Sequence, residues 1–292
     1  NPFGGGVQMG FVSGASGYEY VASEIRKNQC DANNAICSEF ESVKWVQSDS
    51  STYTPDGKFD LVFTCPPYYK VEKYLDYVKR LCMSEDKKIE HFMQYVSLDS
   101  MFEQAEYIRH GLDFHRMWNN VNRFLAEVPN RSSLTFIITM NNLSVLGLQQ
   151  QLDHILALRR EHSTTYQRVW FDTPLLRKPE WQSLQLLPES YVYRLEQVAD
   201  WMEENIETPD KMFHGFKDYE IQRIRRDIDW MRKGQELDPA YVKQQKANFY
   251  RFFNEYDKRR NAGLNNTSTF ISVFPQMKEF WKECEYHAKH GL

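Results

Sequence analysis

Apolar and polar positions change rhythm twice along this chain. In the first 76 residues, short runs of two periods alternate. Residues 7–16 and 26–40 carry apolar side chains at helical spacing, whereas 17–24 (GYEYVASE), 43–47 (VKWVQ) and 59–64 (FDLVFT) read as strands, the last stopped by Pro66 and Pro67. Strands alternating with helices predict βαβ units and an open α/β sheet. From about residue 77 the texture becomes long amphipathic stretches, at 77–94, 101–127, 145–161, 189–206, 217–233 and 239–260, which predict helices. Residues 134–140 (LTFIITM) are the one clear buried strand expected there, and Pro174, Pro179 and Pro188 interrupt the helical pattern over 162–190. The expected organisation is therefore 1–76, then a helical region over 77–161 holding one strand, then a mainly helical 162–292.

Two segments of the first part carry chemistry. Asn1-Pro-Phe3-Gly4-Gly5-Gly6 opens directly into a helix, and three glycines leave the backbone unhindered where a ligand can approach. Glu24 ends the next strand, where α/β nucleotide sites place a carboxylate on the ribose hydroxyls, and Asp49 follows the strand after that, where it can take an adenine amino group. A glycine turn alone more often marks a tight connection, and two acids alone are more often solvated. Their order along the chain is what raises the combination above those readings. The second segment is Asp60-Leu-Val-Phe-Thr-Cys-Pro-Pro-Tyr-Tyr69, a strand running into a doubly proline-stiffened loop.

Together these motifs resemble the amino-group DNA methyltransferases, in the phage and bacterial branch with a DPFGGG-like turn followed by a TCPPYY-like loop. The resemblance covers residues 1–76. It implies an α/β, Rossmann-like methyltransferase sheet that takes S-adenosylmethionine as cofactor and an exocyclic amino group of adenine or cytosine in DNA as substrate. Phe3, Gly4, Gly5, Gly6, Glu24 and Asp49 would hold the cofactor, and Cys65, Pro66, Pro67 and Tyr68 the base. Such an amino nitrogen is a poor nucleophile, and acceptors on its hydrogens free its lone pair in the transition state. Tyr68 would stack on a base extruded from the duplex. Cys65 departs from the family pattern of Asp, Asn or Ser, and a thiol is a weak acceptor. A non-catalytic nucleotide-binding or assembly protein is therefore the alternative.

Residues 95–290 are similar to the carboxyl-terminal part of phage-type radical S-adenosylmethionine proteins, through VSLDS at 96–100, EQAEYIRHGLDF at 103–114, WFDTPLLRKPEWQ at 170–182 and FYRFFNEYDKRR at 249–260. Those enzymes hold an iron–sulfur cluster on a CxxxCxxC run. This sequence contains none, so on that reading it is a fragment without the cluster-binding half.

The remaining composition adjusts this picture modestly. Lys plus Arg number 36 against 40 Asp plus Glu, so a net charge of −4 draws no phosphate backbone globally and DNA contact needs a local basic surface. Arg159-Arg160, Arg223 with Arg225-Arg226, and Lys258-Arg259-Arg260 are candidates, but flanking acids make solvated helix faces the expectation. Five cysteines without a CxxC pair predict reduced thiols, and the eight histidines show no metal-ligand spacing, so no metal site is expected. Trp118, Trp170, Trp181, Trp201, Trp230 and Trp281 are expected in the core. No apolar run is long enough for a membrane span, which predicts a cytoplasmic protein, the resemblance implies a bacterium or phage-infected host, and the chain's natural start is expected to precede Asn1.

Overall fold

The computed structural model describes residues 7–49, 53–64, 71–128, 131–262 and 268–290. The chain divides into two compact units, Asn1–Val96 with Met117–Thr135, and Ser97–Arg116 with Phe136–Leu292. Among the described residues six strands form two sheets, ordered β1-β2 and β3-β4-β5-β6. They are β1 (Tyr20–Glu24), β2 (Val43–Gln47), β3 (Phe59–Thr64), β4 (Ile89–Ser97), β5 (Ser132–Ile137) and β6 (Val169–Asp172). β1 pairs parallel with β2, and β3 with β4. Ladder bonds climb both strands together from Phe92–Arg131 to Leu98–Ile137 and from Ile138–Asp172 to Met140–Pro174, so β4, β5 and β6 are parallel as well. The protein is thus α/β with a parallel sheet.

In the first unit, α1 (Gln8–Ala15) and α2 (Lys27–Ile36) pack on the β1-β2 pair. Tyr20, Ala22, Cys30, Cys37, Val43 and Trp45 form the core there. α1 approaches closely because Gly10 and Gly14 carry no side chain: a Cβ would run into the Trp45 ring at the first and the Phe40 ring at the second. Asn34 of α2 binds β2 like a strand neighbour, donating to the Trp45 carbonyl at 2.9 Å and accepting from its N–H at 2.8 Å. A helix side chain thereby covers backbone groups that an edge strand would present to solvent. Below β4 lie α3 (Val71–Met83), with Leu75, Val78 and Leu81 buried, and α5 (Phe114–Glu127), whose Phe124 meets Phe92 at 6.3 Å between ring centroids.

The second unit is helical around β6. α6 (Leu148–His162) packs on that strand, α7 (Glu189–Glu204) pairs with α8 (Asp218–Arg232), and α9 (Pro239–Arg260) pairs with α11 (Lys278–His290). Asp238 starts α9 by accepting from the N–H of Ala240, with Pro239 at the first helical position, where a missing N–H costs nothing. Phe249, Phe253, Phe270 of the short α10 (Phe270–Val273), Phe274 and Phe280 are buried together with Tyr107 of α4 (Phe102–Ile108). The Tyr107 hydroxyl donates to Asp257 at 2.7 Å. Arg159 of α6 is fully buried and makes a two-oxygen ion pair with Glu220 of α8, at 2.9 and 2.6 Å. Its other donors reach the carbonyls of Val169 at 2.9 Å and Gly215 at 2.8 Å, and the Phe171 and Phe216 rings lie beside it.

The strands at 43–47 and 59–64 form as the pattern predicts, as does the helix over 239–260. Four expectations fail. The stretch 101–127 divides into α4 and α5, parted around Gly111, whose φ of 86° no right-handed helix holds. The stretch 77–94 is not one helix: helical spacing ends at Met83, and from Ile89 the buried positions Phe92, Gln94, Val96 and Leu98 follow period two, which makes β4. β6 is a second strand that the helical reading of the later region lacks. It is four residues long, too short to register as alternation. The six tryptophans expected in the core are each only partly buried, and Trp45 is the fully buried one, in keeping with a side chain too large to enclose easily.

Two predictions follow from the second unit. Arg159→Met or Glu220→Leu alone strands a buried charge and should cost about 3–5 kcal/mol in urea unfolding, with the double variant recovering part of that loss. Single losses below about 0.5 kcal/mol would show that the pair is dispensable. Burial pushes the Asp227 carboxyl up to about 7 from 3.8, against the lowering effect of Arg226. Between those values the folded state holds a proton that the unfolded chain has released, so this group's contribution to stability falls as pH rises through the window. Asp227→Asn should therefore gain stability over wild type at pH 8 by up to about 4 kcal/mol and show little advantage at pH 4. Equal differences at both pH values would contradict it.

Candidate cofactor site

The two sheet-end acids of the first unit come together because β1 and β2 run in register. Glu24 faces Gln47 across the pair, and the Ser48 N–H donates to the Glu24 carbonyl at 3.1 Å, so Asp49 lies one residue past that bond. In parallel sheets ligands collect at the carboxyl ends of strands, and both acids stand there. The Tyr53 N–H donates to the Asp49 carbonyl at 2.9 Å.

Their environments differ. Glu24 is 7% exposed, and its Oε1 accepts both the N–H and the Nε–H of Arg26, each at 3.0 Å. The hydrogen bond from the Arg26 side chain outweighs desolvation and holds the carboxyl below the usual carboxylate range, so it is ionised at neutral pH. Both of these bonds fall on Oε1, and neither uses Oε2. Arg26 also occupies the N-cap position of α2, so the same bond fixes where that helix begins. Asp49 is exposed. An ionised carboxylate accepts hydrogen bonds only, which suits a vicinal diol below and an amino group beyond it.

The other expected site residues, Phe3, Gly4, Gly5, Gly6, Cys65, Pro66, Pro67 and Tyr68, lie outside the described residues. β3 ends at Thr64, directly before Cys65. A cavity of about 450 Å³ lies beside β1 and β3, lined by Tyr18, Tyr20, Tyr53, Leu61, Tyr77 and Leu81 among others, and neither Glu24 nor Asp49 lines it. Arg26 was not foreseen as a partner of the site, although its place two residues after Glu24 at a helix start is the signal that could have found it.

The basic clusters are mostly committed within the protein. Arg159 is buried rather than on a solvated face, because burial against Phe171 and Phe216 is offset by its pairing. Arg223 pairs with Asp172 at 2.7 Å, Arg225 with Asp200 and Glu203 at 2.6 and 2.8 Å, and Arg226 with Asp227 at 3.2 Å. Arg259 pairs with Glu255 at 2.9 Å, and Arg260 donates to the carbonyl of Glu106 at 2.9 Å. The four described cysteines, Cys30, Cys37, Cys82 and Cys284, are buried and unbridged. Among the described residues no helix is long and apolar enough to cross a membrane. No protein-family model, curated protein or solved structure matches the chain.

Proposed function

We propose that the chain is a DNA methyltransferase acting on an exocyclic amino group of adenine or cytosine, with S-adenosylmethionine as cofactor. The observation that supports it best is the buried, ionised Glu24 at the carboxyl end of β1, with Asp49 one residue past the Ser48 bond to its carbonyl. Glu24 fits a ribose diol through acceptor oxygens, and Asp49 fits an adenine amino group. When bound, the cofactor supplies an electrophilic methyl group. The chain's own part is positioning. By the resemblance, the carbonyls of Cys65, Pro66 and Pro67 would accept from the N–H groups of the target amine, and Tyr68 would stack on the extruded base. With a thiol at Cys65, the carbonyls carry most of the acceptance. The same Cys65 favours the second reading, a protein that binds the nucleotide without transferring the methyl group.

S-adenosylmethionine at about 100 times its Kd should stabilise the protein by about 2.7 kcal/mol, read as a raised melting temperature. Glu24→Gln should weaken that binding about 10- to 100-fold, the loss expected for hydrogen bonds to a charged group. Arg26→Ala should retain most of it. If both substitutions change stability alike and leave cofactor affinity untouched, Glu24 only anchors the start of α2.

Base stacking is worth roughly 1–3 kcal/mol, so Tyr68→Ala should slow DNA methylation about 5- to 150-fold while Tyr68→Phe keeps most activity. Cofactor affinity should hardly change. Parallel loss of melting temperature, cofactor affinity and rate would instead make Tyr68 a packing residue.

A further inference from the structure

A cavity of about 420 Å³ in the second unit is lined by Arg160, Glu204, Asn205, Ile206, Thr208, Lys211, His214 and Gly215. Arg160 sits in the last turn of α6, Glu204 ends α7, and the rest belong to the connection between α7 and α8. The walls are held tightly. Phe216 donates to the Asn205 carbonyl at 2.9 Å and Glu207 to the Phe216 carbonyl at 2.8 Å, while the Gly215 carbonyl takes the guanidinium of Arg159. A Cβ at Gly215 would run into the backbone of Glu207 and Ile206, so this close approach requires glycine. Phe213 turns the chain at φ 67°, a left-handed conformation uncommon for a bulky residue.

The charge around this cavity is unevenly settled. Three neighbouring carboxylates have cations of their own, Glu207 in Lys217, Glu203 in Arg225 and Glu220 in Arg159, while Asp210 accepts from the Thr208 hydroxyl and attracts Lys211. Among the described residues, Arg160 and Lys211 form no ion pair, and both are exposed at the cavity. His214 adds an imidazole whose Nε2 lies 2.9 Å from the Ser163 carbonyl. A carbonyl only accepts, so that nitrogen carries the proton and Nδ1 is left for another partner. A position in the last turn of a helix explains one cation, Arg160, by attraction to the helix dipole. It does not explain Lys211 or His214, which the connection brings to the same place.

We propose that this cavity binds a phosphate group, with Arg160 and Lys211 as its cations. Glu204 is the one carboxylate lining it and limits affinity for anions. The phosphate can come from a small molecule or from a nucleic-acid backbone. The inference does not depend on the methyl-transfer reading, because it concerns residues of the second unit alone.

Two probes test it: inorganic phosphate, titrated calorimetrically against chloride at matched ionic strength, and duplex DNA, followed by anisotropy over a series of salt concentrations. Arg160→Gln with Lys211→Gln should weaken phosphate binding about 10-fold or more. Glu204→Gln should strengthen it. If the phosphate is part of DNA, the double variant should also lower the slope of log K against log salt by about 1 for each lost contact. Weakened phosphate binding with an unchanged DNA slope would assign the cavity to a small phosphorylated molecule. Melting temperatures of the variants should match wild type, since both substituted cations are exposed. If phosphate affinity and DNA salt slope are unchanged in all the variants, or if wild type binds phosphate no better than chloride, the proposal is wrong.

Discussion

The second unit depends on one buried ion pair. From α6, Arg159 reaches the first residue of β6, the Gly215 turn and α8 with a single guanidinium, and each of these bonds is made without access to water. Glu220 serves α8 twice, since besides accepting from Arg159 it accepts from the Lys217 N–H at 3.0 Å and so closes the helix's first turn. A charge pair in such a place contributes geometry more than net free energy, because desolvation consumes most of the attraction. Its effect is to fix the α7–α8 connection against α6. That fixed connection holds Lys211 and His214 beside Arg160.

In the first unit the equivalent constraint is register. A parallel pair slipped by one residue would carry Glu24 away from the Ser48 bond. Trp45, packed against Gly10 and bracketed by Asn34, specifies that register from the β2 side. Structure and chemistry meet at Glu24, which orders Arg26 at the start of α2 and at the same time presents an ionised carboxylate at the end of β1.

Much of this was legible in the sequence where period and punctuation agree. Residues 43–47 and 59–64 read as strands because β-branched and aromatic residues are bounded by turn or proline signals, and 239–260 reads as a helix from its amphipathic spacing. Glu24 and Asp49 could be picked out because the first ends an identifiable strand and the second follows one. β4 was hidden because its alternating run follows an amphipathic helix after only a short break, and Gln94, polar but fully buried, blurs the alternation. The Arg159–Glu220 pair joins residues 61 positions apart, and the phosphate-class cavity gathers Arg160, Lys211 and His214 from separate segments. Local pattern carries no record of such encounters. A run of adjacent arginines looks like a solvated face whether or not one of them turns inward.

The central claim is that the first unit transfers a methyl group to a DNA amino group. The direct measurement is to incubate the protein with methyl-labelled S-adenosylmethionine and unmodified duplex DNA, then hydrolyse the DNA and identify the labelled nucleoside. The account predicts label on the exocyclic nitrogen of adenine or cytosine. Unlabelled DNA in the presence of demonstrable cofactor binding, or label on a pyrimidine ring carbon, would contradict it.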